Sequence, residues 1–195
     1  MAANMTAQHF TFFDTAIGQC GIVWDGPRIT GVQLPERDAA KTRARLERRH
    51  PQAREAVPPA NVQRIIDDIV ALMRGEPRDL NYIDVAIETV PEFNRRVYAI
   101  ARAIPPGQTL SYGEIAVKLG DKLLSRDVGQ ALGQNPFPII VPCHRVLAAG
   151  GKTGGFSGGQ GVKTKLQMLS IERAQPGGPT LFDDLPLVAR RSARA

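Results

Sequence analysis

Residues 111–134, SYGEIAVKLGDKLLSRDVGQALGQ, constrain the fold more tightly than any other stretch of the chain. Ser111 followed three residues later by Glu114 has the form of a capping box: the hydroxyl accepts from an N–H of the first turn and the carboxylate reaches back to the cap's own N–H. A short helix opened there runs to about Leu119 and meets a turn at Gly120-Asp121. SRDVGQALGQN then reads as a second short helix, with Ser125 in the position of its cap. Short helix, tight turn and short helix form the helix-turn-helix pattern. An ordinary helical hairpin carries the same signals, so the pattern needs a second feature before it speaks of function.

Upstream, the rhythm is that of an α/β unit. HFTFFDTA, CGIVWD and RITGVQL are rich in β-branched and aromatic residues and are separated at Gly18 and at Asp25-Gly26-Pro27, which predicts a β-meander from His9 to Leu34. ERDAAKTRARLERRH predicts an exposed helix ended by Pro51. Val62, Ile65, Ile66, Ile69, Val70 and Met73 recur at helical spacing with Gly75 as the stop, and Ile83, Val85 and Ile87 alternate as a strand does. Beyond Thr89 helices dominate. Phe93, Val97, Ile100, Ala101 and Ile104 mark one that ends at Pro105-Pro106-Gly107. VKTKLQMLSIER predicts the last, with Val162, Leu166, Leu169 and Ile171 facing inward. From Ala174 the chain is rich in Pro, Gly and charge and reads as a tail that is disordered or lies over the surface. The expected fold is α+β: an α/β unit over residues 1–88, a helical unit over 89–173 and a tail over 174–195.

The 195 residues suffice for one large domain or two small ones. No apolar run approaches the roughly 20 residues of a membrane helix, and MAANMTAQHFTFF lacks the basic start and apolar core of a signal peptide, so a cytoplasmic location is expected. Two cysteines without Cys-x-x-Cys speak against a disulfide framework, and three scattered histidines against a metal cluster; no metal and no cofactor are expected. The net charge of +6 and sequence pI of about 9.7 lean toward a polyanionic partner, although part of the excess lies in KTRARLERRH and ARRSARA, runs of the kind that form solvated faces.

The second feature is NPFPIIVPCHRVLAAGGKTGGFSGG, residues 135–159. Cys143 stands between a proline and a histidine at the end of an apolar run, with a glycine-rich loop behind it. A free thiol has a pKa of about 8.5, so cysteine chemistry at neutral pH needs a base or a positive field. His144 is adjacent, but neighbouring side chains in extended backbone point to opposite faces, which makes a bridging water the natural link. A carboxylate orienting the imidazole would complete a relay; Glu114 and Glu172 both qualify. Singly, Cys143 reads as an inert buried thiol, His144 as a structural hydrogen-bonding group and Arg145 as a surface ion-pair partner. Together, with prolines fixing the backbone and glycines leaving room for a ligand, they read as a reactive cysteine beside a DNA-binding motif.

From FNRRVYAIARAIPPGQTLSYGEIA through SRDVGQALGQNPFPIIVPCHRV to GGFSGG and Glu172, the sequence closely resembles the O6-alkylguanine-DNA alkyltransferases, or methylated-DNA–protein-cysteine methyltransferases. FFDTAIG and GVQLP extend the likeness into the first half. The resemblance implies a ribonuclease-H-like first domain and a winged-helix-like second one. It implies that Cys143 permanently accepts the alkyl group from O6 of guanine, and less well from O4 of thymine. His144 would act as a water-mediated base oriented by Glu172, and Asn135 would brace the active-site turn. Tyr112 would lie near the flipped nucleotide's phosphate and donate a proton to N3 of the leaving guanine. Arg126 would enter the stack through the minor groove and fill the space of the flipped base, whose extrusion costs a few kcal/mol. Ser125, Gly129, Ala131, Gln134 and Arg145 complete the implied DNA-binding set. Pro138, Val146, Gly154, Gly155, Phe156 and Ser157 form the implied substrate pocket. The implied partner is double-stranded DNA carrying an O6-alkylguanine, and the implied state a monomer.

Some positions depart from the family pattern. Phe156 stands where some members have tyrosine, which removes a hydroxyl near O6, and Asp127 follows Arg126 where a small apolar residue is common. The segment leading to Glu172 is longer than in some members, and the zinc ligands of some N-terminal halves have no match. A lesion sensor would lack the acceptor cysteine, a winged-helix regulator would read the major groove with a polar helix, and a hydrolytic cysteine enzyme would leave Arg126 unexplained. In the tail, PTLFDDLPL reads first as a segment that packs back on its own domain, and Leu181 and Phe182 also fit one that docks on a replication clamp.

Overall fold

The computed structural model describes residues 7–174, and the tail segment with Leu181 and Phe182 lies outside them. Strands β1 (His9–Thr15), β2 (Gly18–Asp25) and β3 (Arg28–Gln33) form the expected meander. β1 pairs antiparallel with β2 from His9↔Trp24 to Thr15↔Gly18, and β2 with β3 from Asp25↔Arg28 to Gly21↔Gln33. A two-residue strand β4 (Arg54–Glu55) joins β1 in parallel, giving the order β3-β2-β1-β4.

Side chains alternate across a strand, and both faces of this sheet are covered. One face sends Phe10 and Val23 against Leu46 of α1 (Ala39–Arg49); a Cβ at Gly21 would overlap the Leu46 Cδ1 methyl. Helix α1 starts at Asp38, whose carboxylate accepts from Lys41 N at 2.8 Å. The other face sends Cys20, Ile22 and Trp24 into the main core, where α2 (Ala60–Leu72) contributes Val62, Ile65, Ile66, Ile69 and Leu72.

Ile83, Val85 and Ile87 do not form the expected strand. Val85 makes one bridge to Ile29, framed by Ile29 N–H to Asp84 O and Ala86 N–H to Ile29 O, both 2.9 Å, and Ile87–Thr89 then winds into a 3-10 turn. The edge of β3 has no room for more. Three residues on, Val32 N–H already donates to Pro136 O at 2.9 Å, so the segment leading to Cys143 takes the rest of the edge.

The second half contains α3 (Glu92–Arg102), α4 (Tyr112–Lys118), α5 (Ser125–Gly133) and α6 (Val162–Ile171), with a two-stranded parallel sheet of β5 (Leu110–Ser111) and β6 (Val146–Leu147). The capping box forms: Glu114 N–H donates to Ser111 Oγ at 3.1 Å and Ser111 N–H to Glu114 Oε2 at 2.6 Å. Ser125 is not a cap. A 3-10 turn, Lys122–Leu124, runs directly into α5, so the cap needed by the composite segment lies earlier, at Asp121, which accepts from Leu123 N–H at 2.8 Å. The Ser125 hydroxyl donates instead to Lys122 O at 2.9 Å.

The buried stripe of α6 also differs from the expected one. Thr164, Lys165, Met168 and Leu169 are buried, whereas Val162 and Leu166 are 39% and 47% exposed. Lys165 holds a core position because its ammonium donates to Val146 O at 2.6 Å and Thr153 O at 2.5 Å. One continuous apolar cluster joins the sheet, α2, α3, α4, α5 and the segment Phe137–Val141, so the two halves share a core.

Candidate functional site

The turn that delivers Cys143 is built by Asn135. Its carbonyl oxygen accepts from Phe137 N–H at 2.9 Å and its amide donates to Val141 O at 2.8 Å, while Val141 N–H donates to Phe137 O at 2.8 Å. Within this clasp Ile139, buried and β-branched, is held at φ +76°, a region such residues avoid. Cys143–Arg145 then make one turn of 3-10 helix rather than extended backbone. With three residues per turn, successive side chains diverge by about 120°. Cys143 lines a cleft, and His144 and Arg145 point into the protein.

Both inward side chains meet Glu172, which ends α6. His144 Nε2 lies 3.0 Å from Glu172 Oε1; Arg145 donates Nε to Oε2 at 2.9 Å, Nη2 to Oε1 at 2.7 Å, and Nη1 to Ile104 O at 2.6 Å. Burial pushes the Glu172 carboxyl up, but the hydrogen bonds from His144 and Arg145 outweigh it and hold the group down at about 2. An ionised carboxylate only accepts, so His144 Nε2 carries the hydrogen and Nδ1 the lone pair. Nδ1 is buried and has no hydrogen-bond partner among the described residues. Burial lowers the His144 pKa despite Glu172, which keeps the imidazole neutral. Of the two candidate carboxylates the structure selects Glu172, since Glu114 is spent in the capping box on the surface.

Burial raises the Cys143 thiol; Asn135 and the Lys165 ammonium oppose the rise. Burial in turn pulls Lys165 down to about 8. Lys165 was not legible as a site residue, and its buried setting is the only signal of it. Burial, then Cys143, raises the Tyr112 phenol, so it stays protonated; its hydroxyl donates to Gly155 O at 3.3 Å.

The cleft has a volume of about 550 Å³ and runs between α4–α5 and the glycine-rich loop. Tyr112, Ser125, Arg126 and Gly129 line one wall, Gly155, Phe156 and Ser157 the other, and Cys143 lies between them. Ser157 Oγ pins the loop to α5 by donating to Gly133 O at 2.8 Å. Gly154, at φ +67°, backs the Tyr112 ring so closely that a Cβ would come within 3.0 Å of it.

A model of the DNA-binding domain of 6-O-methylguanine DNA methyltransferase matches residues 92–174. The methylated-DNA–protein-cysteine methyltransferase of Mycobacterium tuberculosis is 33% identical over 177 residues, which cover 90% of this chain and 99% of that one. The chain belongs to the methylated-DNA–protein-cysteine methyltransferase family. The member from Methanothermobacter thermautotrophicus is 32% identical over 152 residues, 78% of each chain. The crystal structure of the Mycobacterium tuberculosis OGT in complex with DNA matches with a TM-score of 0.68 at 31% identity, covering 85% of this chain and 92% of that one.

Several expected site residues of this methyltransferase lie away from the cleft. Arg145 is buried, committed to Glu172 and Ile104 O, and does not line the cleft. Ala131 is on the buried side of α5, where its carbonyl accepts from Tyr98 Oη at 2.8 Å. Val146 is buried in β6 with its carbonyl occupied by Lys165. Gln134 accepts from Asn94 Nδ2 at 3.1 Å and, with Asn135 and Pro138, lines a second, smaller cavity of the methyltransferase.

Proposed function

We propose that Cys143 is the acceptor of an irreversible, single-turnover transfer that removes alkyl groups from O6 of guanine in duplex DNA, and less readily from O4 of thymine. One observation carries the assignment: Cys143 opens on the cleft beside the buried His144–Glu172–Arg145 cluster, whereas Cys20 is sealed in the core with its thiol pushed by burial up to about 12.

The step follows from the groups present. Sγ of Cys143 attacks the alkyl carbon, the S–C bond forms and the C–O6 bond breaks, leaving its electron pair on the purine. The thiol proton passes to His144 Nδ1 through a water, and the Tyr112 hydroxyl protonates N3 of the departing guanine. The imidazolium proton returns to the phenolate through solvent, so the net exchange is the thiol hydrogen for the alkyl group. Glu172 positions the imidazole throughout. The thioether has no leaving group that water could displace at neutral pH, which limits the protein to one turnover.

A guanine in a duplex reaches such a thiol only after leaving the stack. Arg126, exposed at the mouth of the cleft, occupies the vacated space, while Gly129 lets α5 approach the minor groove closely. The protein acts as a monomer with no cofactor. Intact mass after mixing with a duplex carrying one O6-methylguanine tests the reading. A gain of one methyl, mapped to the Cys143 peptide and absent in Cys143→Ser, supports it. Lesion binding with no mass gain in the wild type makes the protein a sensor instead.

A further inference from the structure

The second cavity begins where the first ends. Leu132, Gly133, Cys143, Phe156 and Ser157 line both, so the two meet at the thiol. The smaller one holds about 130 Å³ and is closed by the first half of the chain, through Val32, Gln33, Leu34 and two arginines of α1, Arg45 and Arg49. We propose that this cavity receives the alkyl substituent of the lesion, and that Arg49 makes it favour substituents ending in a carboxylate, such as carboxymethyl on O6. The proposal rests on the assignment of Cys143 above.

Position comes first. An alkyl carbon under attack sits against Sγ with its oxygen on the far side, and the rest of its substituent stands out sideways from that line, beside Cys143, where the smaller cavity lined by Pro138 opens. Size agrees. A cavity of about 130 Å³ has room for the few heavy atoms of a carboxymethyl group.

Charge decides the class. Arg45 is neutralised by Glu36, 2.7 Å away, and its second nitrogen donates to Ser157 O at 3.3 Å. Arg49, one helical turn on, is exposed on one side and lines the cavity on the other, with no carboxylate partner and no side-chain hydrogen bond among the described residues. Burial and then the Arg45 charge push its guanidinium below its ordinary value, as a cation lacking a counterion. The uncharged polar residues lining the cavity are Gln33, Gln134, Asn135 and Ser157. A guanidinium fork matches a carboxylate in geometry as well as charge. The transfer is otherwise unchanged: Sγ–CH2 forms, CH2–O6 breaks, and the carboxylate stays on the new thioether.

The alternative source of anionic charge is a phosphate of the strand, and the test separates the two. Single-turnover transfer is measured from duplexes carrying O6-methyl-, O6-carboxymethyl- or the neutral isostere O6-carbamoylmethylguanine, with wild type, Arg49→Gln and Arg49→Lys. We expect the wild type to prefer carboxymethyl over carbamoylmethyl by about tenfold, the size of one partly exposed charge-assisted contact. That ratio falls to about one in Arg49→Gln and is largely kept in Arg49→Lys. A wild type without the preference overturns the proposal. So does an Arg49→Gln variant that slows all three substrates alike and binds undamaged duplex less tightly, the result of a phosphate contact. Absence of transfer from O6-methylguanine in the wild type would instead strike at the assignment of Cys143.

Discussion

Glu172 accepts from His144 Nε2 at 3.0 Å inside the protein and thereby leaves Nδ1 as the only imidazole nitrogen able to take a proton. Glu172→Gln replaces an obligate acceptor with a group that also donates, and the tautomer is no longer imposed. We expect single-turnover transfer to slow by about 100-fold or more, the scale of a lost general base, with duplex affinity unchanged.

The same pair makes the fold sensitive to acid. With a folded value of about 2 against an ordinary 4.5, Glu172 contributes stability that is complete above pH 4.5 and lost as pH falls toward 2. At about 1.4 kcal/mol per pH unit this amounts to roughly 3 kcal/mol. His144, held neutral by burial, acts in the same direction, because below its ordinary 6.5 the unfolded chain takes up the proton first. Urea unfolding from pH 7 to pH 3 should show the loss in the wild type and a flatter profile in Glu172→Gln.

Asn135→Ala removes both bonds of the clasp and strands Phe137 N–H and Val141 C=O in a buried turn. The expected cost is about 2–4 kcal/mol. Ile139, held at φ +76° by that clasp, is then free to relax, so transfer should fall further than stability alone explains. Chemical unfolding and single-turnover rates on the same sample separate the two effects.

Lys165→Met keeps an unbranched stem but removes the ammonium that serves Val146 O and Thr153 O. The Cys143 thiol loses the positive charge that opposes its rise, so its pKa climbs and iodoacetamide labelling at pH 8 slows. Faster or equal labelling in the folded variant contradicts this account. In the wild type the same charge fades as pH rises through about 8, where Lys165 gives up its proton.

Arg126→Ala leaves the cleft's chemistry intact and removes the side chain that stands at its mouth. Transfer from a lesion in duplex DNA should drop by roughly 10–100-fold, matching a flipping cost of a few kcal/mol. Transfer from the free base O6-benzylguanine, which needs no flipping, should stay the same.

Elements whose signals are local were legible in the chain. Two-residue alternation and glycine breaks placed β1, β2 and β3, and three-to-four-residue spacing placed α2. Ser111 and Glu114 formed their capping box because both partners lie within one turn. Resemblance to a family singled out Cys143, His144, Glu172 and Asn135, which fold into one cluster and its brace. Long-range competition defeated the local pattern elsewhere: Val85 lost its strand because Pro136 already occupied the β3 edge.

Charged side chains mark the boundary between the two sources of information. By itself the sequence pointed to a mixed α+β fold, to two short helices about a turn, and to Cys143 as a candidate site residue, because periodicity, capping and neighbouring residue types are local signals. Only the tertiary structure decided that Lys165 is a core residue, that Arg145 clamps Glu172, and that Arg49 reaches the thiol's cavity from the other half of the chain. A charge can leave water only where partners from distant segments replace its solvation, and no spacing along the chain encodes which carbonyls or carboxylates will be there.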